Sequence, residues 1–153
     1  MSYDFNDAAP QQDFGDLIPE KTIAKVRMDI RYPSGSDIGD LPEFTRSKSS
    51  SAQYLDCEFV VVSDPLSTRL VWQNIMVAGV SDKALNISKA TLRAILESAR
   101  GISPADTSAL AIKARQVQSF ADFVGVEFVA RIDIEPGKDG HKDKNKIGTV
   151  ITP

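Results

Sequence analysis

The stretch from Thr22 to Arg31 has an alternating pattern: every even position from 24 to 30 is apolar, and every odd position from 25 to 31 is charged. Because successive side chains of a β-strand point to opposite faces, this period of two predicts a strand with one buried and one solvent-facing side. The solvent-facing side is rich in Lys and Arg, although the whole chain has a formal net charge of -3. Cations concentrated on one face of an acidic protein suggest a site for an anionic ligand.

The acidic charge is unevenly distributed along the chain. Residues 1–20 contain five acidic residues and no Lys or Arg. Of the 21 acidic and 18 basic residues in total, 16 acidic and 18 basic residues remain after this segment, a formal charge of +2. We therefore predict that residues 1–19 form a flexible acidic arm and residues 20–153 one domain. The arm is interpreted as a solubilising tail or, alternatively, as a segment that covers a basic groove or binds a partner protein.

Composition argues against several functional classes. The chain has one His and one Cys, which are too few for a zinc cluster and exclude an intramolecular disulfide. His141 is predicted to be exposed, and Cys57 follows an apolar strand face and is predicted to be a small core residue. No Walker A sequence, dinucleotide fingerprint or EF-hand loop occurs. We therefore predict a protein that is not an enzyme and uses no metal or other cofactor. The lack of a signal peptide or of a long apolar run, together with the lack of a disulfide, predicts a cytoplasmic protein without a membrane partner.

Changes in hydrophobic period divide the chain after the arm into five strands and two helices. A long loop over residues 32–53, rich in Pro, Gly and Ser, separates the first two strands, and loops of this length are usually functional or disordered. Gly101 is placed where a helix C-terminus favours left-handed geometry, and Ser103 is a candidate helix cap. The predicted strands are Thr22–Arg31, Tyr54–Val62, Arg69–Val77, Val126–Ile134 and Asn145–Ile151, and the predicted helices are Ser88–Arg100 and Ser103–Val117.

This order of elements matches that of an OB-fold, a partly open Greek-key barrel. We therefore predict a mainly β protein with helices, of the α+β class, in which an OB-fold-like five-stranded barrel has its helices inserted between strands three and four. Ligands of such barrels bind across strands two and three and between the loops that join strands one to two and four to five. Other small β-barrels and α+β sheets share this order, so they remain alternatives.

Single-strand binders combine a cationic groove with aromatic side chains on which bases stack, each base contributing roughly 1–3 kcal/mol. A barrel would bring together cations from strand one, both loops and the last strand, around the aromatic residues Trp72, Tyr54 and Tyr32. Taken singly, each of these cations is more simply a solvated side chain, and Trp72 a core or edge residue. The predicted nucleic-acid-binding residues are Lys25, Arg27, Arg31, Arg46, Lys48, Tyr54, Arg69, Trp72, Lys142, Lys144 and Lys146.

Five stretches of the chain carry a resemblance to a known family: LIPEKTIAKVRM, YLDCEFVVV, RLVWQNIMVAG, ATLRAILESARGI and VGVEFVARIDIEPGKDGHKDKNKIGTVITP. Together they resemble phage and prophage proteins that were long classed as a domain of unknown function and are now regarded as single-stranded-DNA-binding proteins of replication and recombination modules. The resemblance covers nearly the whole chain after about residue 14. The chain departs from the family at Lys21, where the family tends to have glycine, and at Ser67-Thr68, where it tends to have a tighter glycine-containing turn.

The resemblance implies an OB-like fold, single-stranded DNA as the ligand, and partners such as a phage recombinase or annealing protein or a helicase. We therefore predict a single-stranded-DNA-binding protein without sequence specificity, which neutralises phosphates and stacks bases. Exposed strand edges also predict a homo-oligomer. The alternative is a protein-interaction or assembly module of phage origin that does not bind nucleic acid.

Overall fold

The structure, a computed structural model of the 153-residue chain, describes residues 2–10, 17–31, 45–46 (backbone only) and 52–153. These residues form one antiparallel sheet, one long helix and two short helical segments. The strands are β1 (Thr22–Arg31), β2 (Thr45–Arg46), β3 (Gln53–Val61), β4 (Leu70–Ala78), β5 (Glu127–Glu135) and β6 (Lys144–Ile151). The helices are α1 (Asp82–Arg100), α2 (Ala109–Ala114) and the 3-10 helix Phe120–Phe123.

Strand β1 has the predicted bounds and lies in the middle of the sheet. Its first half pairs with β5 and its second half with β3, and the two ladders overlap at Val26 and Arg27. Every second residue from Ala24 to Ile30 is buried, and the residues between them are exposed. The predicted period of two is therefore confirmed.

The sheet is curled but open. The strand order is β2-β3-β1-β5-β6, and β4 pairs with the free side of β3. Tyr54 of β3 illustrates this arrangement, because it pairs with Thr45 of β2 on one side and with Met76 of β4 on the other. The edge strands β4 and β6 approach each other, and the Ile147 N–H donates to Gln73 Oε1 at 2.8 Å across the gap. No backbone ladder joins these two strands in the described part of the chain. The predicted mainly β, α+β class is confirmed, whereas a closed barrel is not.

The core lies between the inner side of the sheet and helix α1. The rings of Phe59 and Phe128 meet edge to face, with centroids 5.7 Å apart, which is a favourable aromatic geometry. The side chain of Ser98 fixes α1 against β5 by accepting a hydrogen bond from the Val129 N–H at 3.1 Å. The apolar residues that predicted the helix, Leu92, Ile95 and Leu96, face this core.

Helix α1 extends further toward the N-terminus than its apolar spacing predicts, because Ser81 caps it. The Ser81 hydroxyl accepts from the Ala84 N–H at 3.2 Å. At the other end Gly101 adopts the predicted left-handed conformation, with φ 68°. No helix within the described residues has both the length and the apolar character needed to cross a membrane.

The prediction of a second helix from residue 103 to 117 is wrong in its extent, because α2 covers only Ala109–Ala114. The preceding segment wraps around Arg115, whose Nη2 donates to the carbonyl oxygens of Ser103 at 3.1 Å and Asp106 at 2.7 Å. The Ser103 carbonyl also accepts from the Asp106 N–H at 2.9 Å, so this segment forms a single turn around the guanidinium, and the helix begins only after Ser108, whose hydroxyl accepts from the Ala111 N–H at 3.2 Å.

The chain enters β1 through a contact with β6. Ile18 is fully buried, its N–H donates to Asn145 Oδ1 at 2.8 Å, and its carbonyl accepts from Asn145 Nδ2 at 2.9 Å. Glu20 adds a further link, since its carboxylate accepts from the Ile134 N–H at 3.1 Å. Ile18 lies in the segment predicted as an arm, so the packed core begins just before the predicted domain boundary.

A buried carboxylate ties α1 to the segment around α2. Glu97 is only 3% exposed, and its Oε2 lies 2.8 Å from Arg115 Nε and 3.2 Å from Arg93 Nε. Arg115 is itself largely buried, whereas half of the Arg93 side chain is exposed. The inner pair is therefore expected to matter far more than the outer one, because solvent screens exposed ion pairs.

We expect Glu97→Gln to lower the free energy of unfolding by roughly 3 kcal/mol, because it leaves the Arg115 guanidinium buried without a counter-charge. Urea denaturation measures the change. The matched control is Arg93→Gln, which removes the exposed partner of the same carboxylate and should cost less than about 1 kcal/mol. Equal losses in the two variants would contradict this interpretation.

Both departures from the resembled family coincide with left-handed backbone. Lys21 has φ 65° and Thr68 has φ 75°. Such a conformation is uncommon for residues other than glycine, and for a β-branched residue it is a real outlier that costs roughly 1–3 kcal/mol. Thr68 is thus a strained position in the turn before β4.

We expect Thr68→Gly to raise the free energy of unfolding by about 1 kcal/mol, since relief of the strain exceeds the added entropy of the unfolded chain. Thermal or urea denaturation checks this. The neighbouring change Ser67→Gly serves as the control and should give no gain, because Ser67 is not among the residues with positive φ. Loss of stability in Thr68→Gly would show that the turn is not strained.

Candidate nucleic-acid interface

Four of the predicted binding residues on strands, Arg27, Arg31, Tyr54 and Trp72, lie on one surface. The register places Glu58 of β3 between Asp29 of β1 and Trp72 of β4, and it places Asp56 beside Arg31 in the next row. Alternation along each strand directs these side chains away from the core. We call this surface the outer face; its residues are Arg27, Asp29, Arg31, Tyr54, Asp56, Glu58, Val60, Leu70, Trp72, Asn74 and Met76.

Trp72 lies near the centre of β4 on the outer face and is 49% exposed. Its indole Nε1–H donates to Glu58 Oε2 on the neighbouring strand at 3.2 Å. Val71 and Ile75 on the opposite side of the strand are buried, so the β-branched side of β4 faces the core. The result is a half-exposed indole whose orientation is fixed from across the strand pair.

The solvent-facing side of β1 is not uniformly basic, because acidic residues from the neighbouring strands stand opposite its cations. Arg31 Nη2 and Nε donate to Asp56 Oδ1 at 2.7 and 3.2 Å, and this hydrogen bonding raises the pKa of Arg31 above its usual value. Lys25 Nζ lies 3.6 Å from Glu127 Oε1. The face that the sequence shows as rich in Lys and Arg is therefore one of mixed charge once the neighbouring strands are in place.

Arg27 is the exception on β1. It stands opposite Val60 of β3 and Glu127 of β5, but it forms no ion pair within the described part of the chain. The Glu127 carboxylate forms its ion pair with Lys25 instead. Arg27 is thus the β1 cation with the most direct access for an added anion.

The hairpin between β5 and β6 carries the remaining predicted cations. Lys144 Nζ lies 3.3 Å from Glu135 Oε2, whereas the exposed Lys142 has no ion pair among residues 52–153 or the other described segments. Lys146 stands opposite Asp133 in the register. Hydrogen bonds from Arg131 lower the pKa of Asp133, and the charge of Lys146 makes a smaller contribution to this lowering.

The gap between the edge strands brings part of this hairpin to the outer face. Trp72 and Lys146 are each one residue away from the Gln73–Ile147 hydrogen bond. Because Gln73 and Ile147 point inward, alternation places the Trp72 and Lys146 side chains on the outside, on either side of the gap. Lys146 therefore borders the outer face.

The other predicted site residues lie at the ends of strands or outside the described residues. Tyr54 is half-buried on the outer side at the start of β3, and Arg69 directly precedes β4, its carbonyl accepting from the Val61 N–H at 2.8 Å. Arg46 pairs with Gln53 through its backbone. The side chain of Arg46, and Lys48 and Tyr32 as whole residues, lie outside the described residues.

Two residues that contact or adjoin Trp72, Glu58 and Gln73, were not predicted as site residues. Alternation alone places Glu58 on the outer face, but its contact with the indole depends on the β3–β4 register. Gln73 alternates with core residues in the sequence, yet its side-chain amide accepts the hydrogen bond from Ile147 that connects β4 to β6. The polar residue in an otherwise β-branched face was the one signal that could have indicated this role.

Cys57 lies on the inner side of β3 and is fully buried, as predicted. Burial raises the pKa of its thiol from the ordinary value of 9.0 to about 12, with a smaller contribution from the charge of Asp56. His141 is exposed in the hairpin. In the described part of the chain, no group of three or more His, Cys, Asp or Glu side chains is placed to hold a metal ion.

The outer face thus combines a fixed aromatic platform, carboxylates that accept hydrogen bonds, and cations at its borders. Such a set can stack a planar ring, bind exocyclic amino groups and neutralise a small number of phosphates. No protein-family model matches the chain, and no curated protein is significantly similar to it in sequence. The chemistry of this surface is therefore deduced from the chain's own residues.

The raised pKa of Cys57 gives a pH dependence of stability. The unfolded chain loses the thiol proton near pH 9.0, and the folded chain only near pH 12, so the folded state holds more protons between these values and stability falls as pH rises. We expect the free energy of unfolding of the wild type to fall above pH 9 by up to about 1.4 kcal/mol per pH unit more than that of Cys57→Ala. Urea denaturation at increasing pH measures both, and parallel curves would refute the assignment.

Proposed function

We propose that this protein binds single-stranded DNA without sequence preference, across the outer face of an OB-like sheet. The observation that carries the proposal is Trp72, which is half-exposed and held in orientation by Glu58. Stacking of a base on such a platform contributes roughly 1–3 kcal/mol, and a ring that is already fixed loses little entropy on binding. The strand order supports an OB-like arrangement, since β3 and β4 correspond to the strands that bind ligands in that fold.

Phosphate contacts would come from Arg27 on the outer face, from Lys146 at its border and from Lys142 in the β5–β6 hairpin. Arg27, Lys142 and Lys146 have no ion pair within the described residues, so they can contact phosphates without losing a protein partner. Arg31 is already paired with Asp56, but a guanidinium has five N–H groups and can bind a carboxylate and a phosphate together. Such a protein would act without a cofactor or catalytic step, in the cytoplasm, beside an annealing protein, recombinase or helicase.

The carboxylates of the outer face set the expected salt dependence. Asp29, Asp56 and Glu58 offset the charge of the β1 cations, so only about three phosphates would be neutralised by unpaired cations. For single strands the slope of log K against log salt concentration is about −0.7 for each neutralised phosphate, which gives a slope of about −2. A uniformly basic groove would give a much steeper slope.

We expect a fluorescein-labelled oligo-dT to bind at low salt with a slope near −2, as measured by fluorescence anisotropy. Trp72→Ala should weaken binding by about 5- to 150-fold, the loss of one stacked base, while Trp72→Phe should retain most of the affinity. Ile87→Ala is the matched control, because Ile87 is an exposed large apolar residue of α1 outside the outer face. The absence of binding at low salt, or equal losses in Ile87→Ala and Trp72→Ala, would overturn the proposal.

A protein-interaction or assembly module is the second candidate, and the ion pairs Arg31–Asp56 and Lys25–Glu127 favour it. A Trp set among paired charges is also typical of the centre of a protein interface, where Trp and Arg contribute most of the affinity. This candidate predicts two results that differ from those of the first. The protein should not bind oligonucleotides at low salt, and Trp72→Ala should abolish binding to a protein partner.

A further inference from the structure

Helix α2 borders a groove with an apolar floor and a basic rim. Its apolar lining residues are Leu110, Ala114 and Val117, and its charged lining residues are Arg100 and Lys113. None of its lining residues is acidic. Leu110 is 80% exposed, so the floor of this α2 groove faces solvent.

The two cations of the α2 groove differ in how they are held. Arg100 Nη1 donates to the Ala114 carbonyl at 2.6 Å, which fixes the guanidinium at the end of α2 but leaves its charge without a carboxylate partner in the described residues. Lys113 forms no ion pair with any described residue either. The groove is therefore complementary to an acidic segment that carries a large apolar side chain.

Residues 2–10 of the same sequence have this chemistry. Tyr3 and Phe5 are each 78% exposed, and they alternate with Asp4 in a segment that contains Asp7 and no Lys or Arg. Asp4 Oδ1 accepts from the Asn6 N–H at 2.9 Å, so the segment forms a local turn. Two large aromatic side chains on an acidic turn are thus exposed rather than packed against the rest of the described chain.

We propose that residues 2–10 of one copy dock in the α2 groove of a second copy, with an aromatic side chain on Leu110 and the aspartates facing Lys113 and Arg100. A second copy is the occupant because the segment leaves its own groove uncovered: both aromatic side chains and Leu110 are exposed together in one chain. The contact joins two different surfaces, so it is heterologous and links copies head to tail. The inference does not depend on DNA binding.

Sedimentation velocity of the full chain, at low salt and without DNA, tests this proposal. We expect the weight-average sedimentation coefficient to rise steadily with protein concentration, as for an open head-to-tail assembly. The arm variant Tyr3→Ser/Phe5→Ser and the groove variant Leu110→Asp should each weaken self-association by about tenfold or more. The control Ile87→Asp, which changes an exposed residue of α1 outside the groove, should associate like the wild type.

Mixing the two defective variants separates loss of the contact from loss of the fold. The arm variant keeps an intact groove and the groove variant keeps an intact arm, so an equimolar mixture should form a 1:1 dimer and nothing larger. A wild type that stays monomeric at all concentrations would overturn the proposal, and docking of the arm in its own groove would produce that result. Equal loss in Ile87→Asp, or a mixture that stays monomeric, would overturn it as well. Because no DNA is present, these results are independent of the test of the outer face.

Discussion

Strand β1 is the constraint on which the rest of the structure depends. It pairs with β5 over its first half and β3 over its second, and Val26 pairs with Phe128 on one side and Val61 on the other. Every inward-facing residue from Ala24 to Ile30 is buried. A shift of one residue in register would turn every charged side chain of β1 into the core, so the ladders on both sides are tightly fixed.

Strand β3, which pairs with β1 on one side and β4 on the other, sets the chemistry of the outer face. The β1–β3 register places Asp56 beside Arg31, and the β3–β4 register places Glu58 beside Trp72. One strand therefore supplies both the carboxylate that offsets the charge of Arg31 and the carboxylate that orients the indole. Because carboxylates offset the β1 cations, the surface would attract a polyanion only weakly, and the proposed function therefore combines base stacking with a shallow salt dependence.

Features set by local pattern could be predicted from the sequence, and features set by distant contacts could not. The bounds of β1, the burial of Cys57 and the end of α1 at Gly101 follow from alternation or from a glycine requirement, whereas alternation alone left the exposure of Trp72 open. The start of α2 was missed because Ser103 and Ser108 are both candidate caps, and the segment between them folds around the Arg115 guanidinium, a contact that the local pattern does not indicate. The pairing of β1 cations with acids needs the strand register, which side-chain alternation does not specify.

The most direct measurement of the central claim is a two-dimensional 1H–15N NMR titration with oligo-dT at low salt. The chain contains one Trp, so its indole N–H gives a single cross-peak that reports on Trp72 without further assignment. Base stacking on the outer face predicts that this cross-peak shifts progressively to saturation, together with amides of β1, β3 and β4, while amides in the first turns of α1 stay in place. An indole cross-peak that remains unmoved while the oligonucleotide is in large excess would contradict DNA binding through this surface.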